Sequence, residues 1–254
     1  MVYPGEPSFT VRLAQTPADL NAALRLRYDV FVEEFGAGGA MVDHAARLEQ
    51  DVYDGFCDHL LLMDTDKRRV AGVYRVMRSD QAAQAGGFYS AGEYDLAPLL
   101  QSGRRLLELG RSCLHPDYRG GRGMHVLWQG LAQYISRHDI EVLFGVASFP
   151  GTDVDHYAQS LSLLHHRHRA PVDSRVGALQ KHRQNIDLVD EAALDRKAAM
   201  VNMPSLIKAY LRLGGVIGDG AFVDRIFKTI DVFLMLDTAQ LSDRQARKYT
   251  GARA

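Results

Sequence analysis

The chain has 254 residues, 46% of them apolar and 24% charged, the proportions of a folded domain rather than a disordered tract. Thirty basic residues against thirty-one acidic ones leave a net charge of −1, so charge alone points to no nucleic-acid partner. Two cysteines, Cys57 and Cys113, are too few for a disulfide scaffold, which favours a reducing cytoplasm, and no apolar run approaches the roughly 20 residues that cross a bilayer.

No signal peptide is expected from the first eight residues, which carry neither a basic flank nor an apolar stretch. Residues 9–14 alternate apolar and polar and predict a strand. Thr16-Pro-Ala-Asp reads as a helix start, and Leu20, Leu24, Tyr28 and Phe31 carry helical spacing to about Phe35, where Gly36-Ala-Gly-Gly breaks it. Residues 40–55 are acidic and irregular. A strand hairpin is predicted over 59–64 and 70–78, then a loop through Gly86-Gly87, a short segment over 96–100 and a strand over 106–114. An amphipathic helix (124–137), a buried strand (142–148) and a helix from about Val154 to His168 follow. Residues 170–184 read as extended, 186–200 as a short helix or loop, 204–213 as a helix ended by Gly214-Gly215, and 221–226 and 229–236 as two last strands. The order implies a mixed α/β fold with a largely antiparallel central sheet flanked by helices. With no repeat and no linker, one domain over 1–254 is expected, with tails at about 1–8 and 237–254.

The stretch with most chemistry is Leu107-Glu-Leu-Gly-Arg-Ser-Cys-Leu-His-Pro-Asp-Tyr-Arg-Gly-Gly-Arg-Gly123. An apolar strand carries an acid and a base, turns, and delivers a basic, Gly-rich loop onto a helix start. Glycines let backbone N–H groups approach an anion, and the helix adds a positive end, so Arg119, Gly120, Gly121, Arg122 and Gly123 are the candidate phosphate site. Glu108 is either a general base or half of a structural ion pair with a residue such as Arg75. Arg111 either takes a carboxylate or pairs with an acid at 51 or 54. Asp51 and Asp54 suit a cationic ligand, or are solvated loop acids. Asp43 and Glu49 read as solvated. Cys113 reads as packing rather than a nucleophile. The run His165-His-Arg-His168 has no Cys, Asp or Glu at ligand spacing beside it, so no metal site is expected there, only a basic helix end.

These residues resemble the acyltransferases of the Gcn5-related N-acetyltransferase fold, and the first half resembles the acyl-homoserine-lactone synthases through Arg27-x-x-x-Phe31, Asp51 and Asp54, Arg75, and Glu108-x-x-Arg111. A closer resemblance, nearly chain-long, is to the bacterial L-ornithine N-alpha-acyltransferases. It is carried by Cys57-Asp-His-Leu, Gly87-Phe-Tyr-Ser, Leu107-Glu-Leu-Gly-Arg-Ser-Cys, Ala147-Ser-Phe-Pro-Gly-Thr-Asp, Leu206-Ile-Lys-Ala-Tyr-Leu-Arg-Leu-Gly and Gly218-Asp-Gly-Ala. That resemblance implies transfer of a 3-hydroxyacyl chain from acyl carrier protein to ornithine, giving lyso-ornithine lipid by direct attack on the thioester. It implies no tightly bound cofactor, catalytic Glu108 and Arg111, and substrate contacts from Arg27, Asp51, Asp54, Arg75 and Ser148. The donor's phosphopantetheine arm would lie along Cys113 and Leu114 and end at Arg119–Gly123. Arg122 and Met124 stand where the parent fold's loop has small residues, which suits one phosphate on a pantetheine arm better than the coenzyme A pyrophosphate. A cytoplasmic protein meeting the anionic inner membrane face peripherally is expected, with basic patches steering the acidic carrier protein.

Overall fold

The computed structural model describes residues 7–241, so most of both expected tails lies outside the described residues. In chain order the elements are β1 (Phe9–Leu13), α1 (Pro17–Arg27), β2 (Val42–Asp43), β3 (Leu48–Glu49), β4 (Asp58–Asp64), β5 (Arg69–Arg78) and α2 (Ser79–Ala85). Next come β6 (Tyr94–Asp95), α3 (Ala97–Leu100), β7 (Leu106–Leu114), α4 (Gly123–Arg137), β8 (Val142–Pro150) and α5 (Ala158–Arg167). The chain continues through β9 (Gly177–Ala178), β10 (Arg183–Gln184), α6 (Arg196–Asn202), α7 (Ser205–Arg212), β11 (Val216–Asp224) and β12 (Thr229–Asp237). The fold is the expected mixed, mostly antiparallel sheet with flanking helices.

Contacts divide the chain into two compact units, residues 7–85 with 109–139, and residues 86–108 with 140–241. In the first unit the strand order is β1-β4-β5-β7, with β1 and β4 antiparallel and β4 and β5 an antiparallel hairpin. Helix α1 starts where sequence placed it. The Thr16 hydroxyl accepts from the Asp19 amide at 3.2 Å, the Asp19 carboxylate accepts from the Thr16 amide at 3.2 Å, and Pro17 opens the first turn. The continuous helix predicted to Phe35 is not continuous: Tyr28–Glu34 is a π-helix, a wider turn that holds one residue more than an α-turn. Ala23, Leu26, Val30, Leu61, Val73 and Cys113 pack as one apolar cluster. Leu127, Trp128, Leu131 and Tyr134 form the buried face of α4.

In the second unit residues Leu106–Glu108 of β7 pair parallel with Val142–Phe144 of β8, and the order continues β8-β12-β11-β9-β6, with β10 beside β11. Strand β11 begins five residues before the predicted start at Ala221, and its register with β12 shifts between Ile217 and Ala221. Gly218 and Gly220 lie in that shift; a Cβ on Gly218 would sit 2.4 Å from the Val176 carbonyl oxygen, so the neighbouring backbone excludes a side chain. Phe144 stacks on Phe233 at 5.6 Å and meets Phe88 edge-on at 4.9 Å, giving this unit an aromatic centre. No helix among the described residues is long and apolar enough to cross a membrane.

Candidate active site

Six charged side chains of the first unit close into a ring of alternating sign. Arg27 donates through Nε to Glu49, and its two terminal nitrogens fork onto Asp54 at 2.5 and 3.1 Å. Asp54 also accepts from Arg75 at 2.9 Å, and Arg75 donates to Asp51 at 2.6 Å. Asp51 accepts from Arg111 at 3.0 Å, and Arg111 Nε returns to Glu49 at 3.2 Å. The ring therefore holds three guanidinium groups and three carboxylates. All six are at least nine-tenths withdrawn from solvent as side chains, from 0% exposure at Arg27 and Glu49 to 7% at Arg111 and 10% at Asp51. Buried charges persist only when paired and hydrogen-bonded, and the fork geometry of arginine supplies both.

Local structure brings the ring together. Arg27 is the last residue of α1, Glu49 ends β3, Asp51 and Asp54 sit in the turns that follow, and Arg75 and Arg111 come from β5 and β7. The Asp51 amide donates to Asp54 at 2.8 Å and folds that turn onto itself. Burial raises the Asp54 pKa, but the charges of Arg27 and Arg75 outweigh it and hold the carboxyl well below the usual carboxylate range. Burial works against the Arg75 charge too, and Asp54 and Asp51 reverse it, so its pKa lies above the ordinary arginine value. His59 borders the ring, its Nε2 3.2 Å from the Asp54 carbonyl oxygen. Burial pushes its pKa down, so it stands neutral.

Arg111 reaches the ring from a strained backbone. Its φ is +51°, a left-handed conformation that costs a side-chain-bearing residue about 1–2 kcal/mol. A non-glycine residue in this region within a strand marks a place where surrounding bonds overrule local preference. The open alternatives are thus resolved: Arg111 pairs with Asp51 and with Glu49, and Asp51 and Asp54 are ring members rather than solvated acids. Glu49 corrects the reading outright, being fully buried and bonded to two arginines. Only Asp43 fits the solvated reading, exposed and accepting from the Ala46 amide.

In the second unit the Glu108 carboxylate is buried and held by three donors of one short turn: the Tyr89 amide at 2.9 Å, the Ser90 amide at 2.7 Å and the Ser90 hydroxyl. This fixes the orientation of the carboxylate on β7. Ser90, itself buried, was missed by sequence reasoning; its only signal was membership of the Gly87-Phe-Tyr-Ser segment. Ser148 is exposed on β8, opposite Asp231 of β12. Three buried acids of this unit, Glu93, Asp224 and Asp231, also lie with oxygens within 4.8 Å of one another. Asp224 accepts from the Ile226 and Phe227 amides and so caps the β11–β12 turn.

The Gly-rich loop leads from a short turn at Pro116–Tyr118 into α4 as anticipated. Gly120 takes φ +76°, a turn only glycine adopts without strain, and no side chain caps the amides at the start of α4. Gly123 is buried, and a Cβ there would press to 3.3 Å on Leu62 and on the Tyr118 carbonyl oxygen. The Arg119 guanidinium is engaged with Glu34 at 2.6 and 2.7 Å and with the Leu114 carbonyl at 3.1 Å. Cys113 lies in the apolar cluster, where burial pushes its thiol up to about 12, far from the thiolate a nucleophile needs. Leu114 is buried beside it at the end of β7.

A family model described as an acetyltransferase (GNAT) domain matches residues 26–129. An L-ornithine N(alpha)-acyltransferase from Rhodobacter capsulatus is 54% identical over 248 residues, covering 96% of this chain and 95% of that protein. One of the same name from Brucella abortus is 46% identical over 254 residues, covering 97% of this chain and 90% of that protein. Among solved structures the AHL synthase LasI aligns over 98% of both chains with a TM-score of 0.52 at 16% identity, a likeness of fold. With its sheet, its Gly-rich loop and near-complete alignment to such relatives, the chain belongs to the L-ornithine N(alpha)-acyltransferase family.

Proposed function

We propose that this chain transfers a 3-hydroxyacyl group from the phosphopantetheine thioester of acyl carrier protein to the α-amine of L-ornithine, giving lyso-ornithine lipid. The observation that carries the reading is the buried, oriented carboxylate of Glu108 on the strand that runs directly into the Gly-rich loop and the start of α4. The α-ammonium of ornithine must lose a proton before it can attack, and Glu108 takes it, directly or through water. The amine nitrogen then bonds to the thioester carbon. The tetrahedral intermediate collapses with cleavage of the C–S bond, and the released thiolate is protonated to the free pantetheine thiol. A backbone N–H of β7 stabilises the oxyanion.

The ring of six charges receives the acceptor by exchange. Arg111 and Asp51 are its most solvent-reached members. Ornithine carries a carboxylate and two ammonium groups, so its carboxylate replaces Asp51 on Arg111 while an ammonium replaces Arg111 on Asp51. Arg27, Arg75, Asp54 and Glu49 hold the frame for this exchange, and Ser148 gives a further polar contact. The donor's arm lies along Cys113 and Leu114 as apolar and backbone surface. Its single phosphate meets the amides of Gly120, Gly121 and Gly123, with Arg119 and Arg122 supplying positive charge. The amphiphilic product suits a cytoplasmic enzyme that works peripherally at the anionic inner membrane face.

The test is mass spectrometry of reactions of the purified protein with 3-hydroxyacyl carrier protein or 3-hydroxyacyl-coenzyme A and a panel of amino acids. N-acyl ornithine formed from the carrier-protein donor is the expected product. Product on another amino acid transfers the reading to that acceptor. Absence of any product from folded protein overturns it.

A further inference from the structure

The second unit holds a side-chain cluster that the acyl-transfer chemistry does not use. His165 and His166 stand in the last turn of α5, and Asp187 comes from a loop 21 residues further on. Asp187 turns one carboxylate oxygen to each imidazole, with Oδ1 3.0 Å from His166 Nε2 and Oδ2 3.5 Å from His165 Nε2. One potential ligand atom from each residue lies within 4.8 Å of the other two. From the sequence this run made at most half a site, because no acid lay beside it. The fold supplies the acid.

Neighbours in sequence on a helix point about 100° apart and do not ordinarily converge. Here a third residue gathers them. Ser162, three and four residues earlier and fully buried, donates its hydroxyl to the Ile186 carbonyl at 3.3 Å and accepts from the Leu188 and Val189 amides at 2.9 Å each. It thereby clamps the loop over the face that His165 and His166 flank. Asn185 closes the loop locally, its side chain bonding the Asp187 amide and carbonyl at 3.0 Å each. Asp187 is thus presented on a braced turn.

We propose that His165, His166 and Asp187 form a binding site for a divalent transition metal, zinc above all, with the remaining coordination positions filled by water. Two imidazoles and a carboxylate are a borderline-soft set that suits zinc rather than calcium or magnesium. In a tetrahedral zinc site with bonds of about 2.0–2.1 Å, ligand atoms stand about 3.3 Å apart, and the two separations here bracket that value. As a pure ion-pair cluster the arrangement is poorly served. Burial and Arg169 push the His165 pKa down, so at neutral pH this ring offers Asp187 no charge and is ready to bind metal without losing a proton. Nδ1 of His165 is buried with no hydrogen-bond partner among the described residues. A divalent ion supplies the charge the carboxylate lacks and pins the 185–189 loop to α5.

The experiment uses the full chain stripped with a chelator, titrated with Co2+ as a spectroscopic probe and then with Zn2+ as competitor, beside Asp187→Asn and His165→Asn. Wild type is expected to give one saturable visible Co2+ band that Zn2+ abolishes, and each variant to weaken binding on the order of tenfold or more. Amide exchange at Leu188 and Val189 is expected to slow with Zn2+ in wild type only. Equal binding by wild type and both variants, the background of other surface histidines, overturns the proposal, as does the absence of any saturable band. Circular dichroism of each variant separates loss of a ligand from loss of the fold.

Discussion

Arg111 holds Asp51 at 3.0 Å from a backbone twisted to φ +51°, so the contact that completes the charge ring is made by a residue in a conformation it would not choose alone. Side-chain bonding and backbone strain can be separated by mutation. Arg111→Ala removes the guanidinium and keeps the strain, whereas Arg111→Gly removes both. We expect the glycine variant to be more stable than the alanine variant by about 1 kcal/mol in urea unfolding. Both are expected to lose ornithine acylation. An alanine variant as stable as the glycine one would mean that residue 111 is not left-handed in solution.

Asp54 links the ring to acid stability. Its folded-state pKa lies below its unfolded value, so it stabilises the fold fully above the ordinary carboxylate pKa, and this is lost as pH falls through the folded-state value. Asp54→Asn leaves Arg27 and Arg75 buried with one partner fewer and is expected to cost about 3–5 kcal/mol at pH 7. The difference from wild type should shrink below about pH 4. His59 acts with the same sign at higher pH. Burial lowers its folded-state pKa, so its contribution is full above about pH 6.5 and falls as the solution is acidified. Denaturant melts of wild type, Asp54→Asn and His59→Gln from pH 8 to pH 3 check both stages; parallel curves for wild type and Asp54→Asn would refute the first.

Glu108 and Ser90 should separate in kinetics. Glu108→Gln keeps the size of the side chain but cannot take a proton, and turnover with 3-hydroxyacyl carrier protein and ornithine is expected to fall by about 10²–10⁴. The Gln amide also faces the Tyr89 N–H, a donor, so a modest loss of stability accompanies it. Ser90→Ala removes one of three bonds to the carboxylate and leaves the base in place. It is expected to give a smaller loss and to displace the acidic limb of the pH–rate profile. A Glu108→Gln protein of near-normal turnover would remove Glu108 from the chemistry.

Gly72 of β5 tests how closely β7 is packed. A Cβ there would stand 2.3 Å from a Leu114 methyl and 3.2 Å from the Cys113 carbonyl oxygen. Gly72→Ala is expected to destabilise by about 1–3 kcal/mol. Gly55→Ala meets no atom within 4 Å and is expected to change stability by less than about 0.5 kcal/mol. Thermal melts of the two variants give the comparison.

What the sequence revealed depended on whether the deciding interaction was local. Strand β7 has the predicted bounds because its apolar run is flanked by Arg104-Arg105 on one side and His115-Pro116 on the other. The start of α1 was legible because its capping partners lie three residues apart. Glu49 was misread because both its partners, Arg27 and Arg111, are remote in sequence, 22 and 62 residues away. An acid in an irregular stretch looks solvated until the fold delivers arginines to it. Asp187 escaped notice beside His165 and His166 for the same reason. The one-residue surplus in the helix after Arg27 left no trace in the apolar spacing, because Leu24, Tyr28 and Phe31 keep an α-helical pattern up to and into the wider turn.

That surplus residue gives the helix an unusual sensitivity to insertion and deletion. Glu34 closes the π-helix, and its carboxylate is the one that grips Arg119 of the Gly-rich loop with two bonds. Deleting any one residue of Tyr28–Glu34 would let the segment relax to ordinary α geometry, at no cost in helix stability. It would also swing everything after the deletion about 100° around the helix axis, carrying Glu34 off Arg119. The reading frame of this helix, more than the identity of any side chain in it, is what evolution must hold constant for the loop to stay tethered.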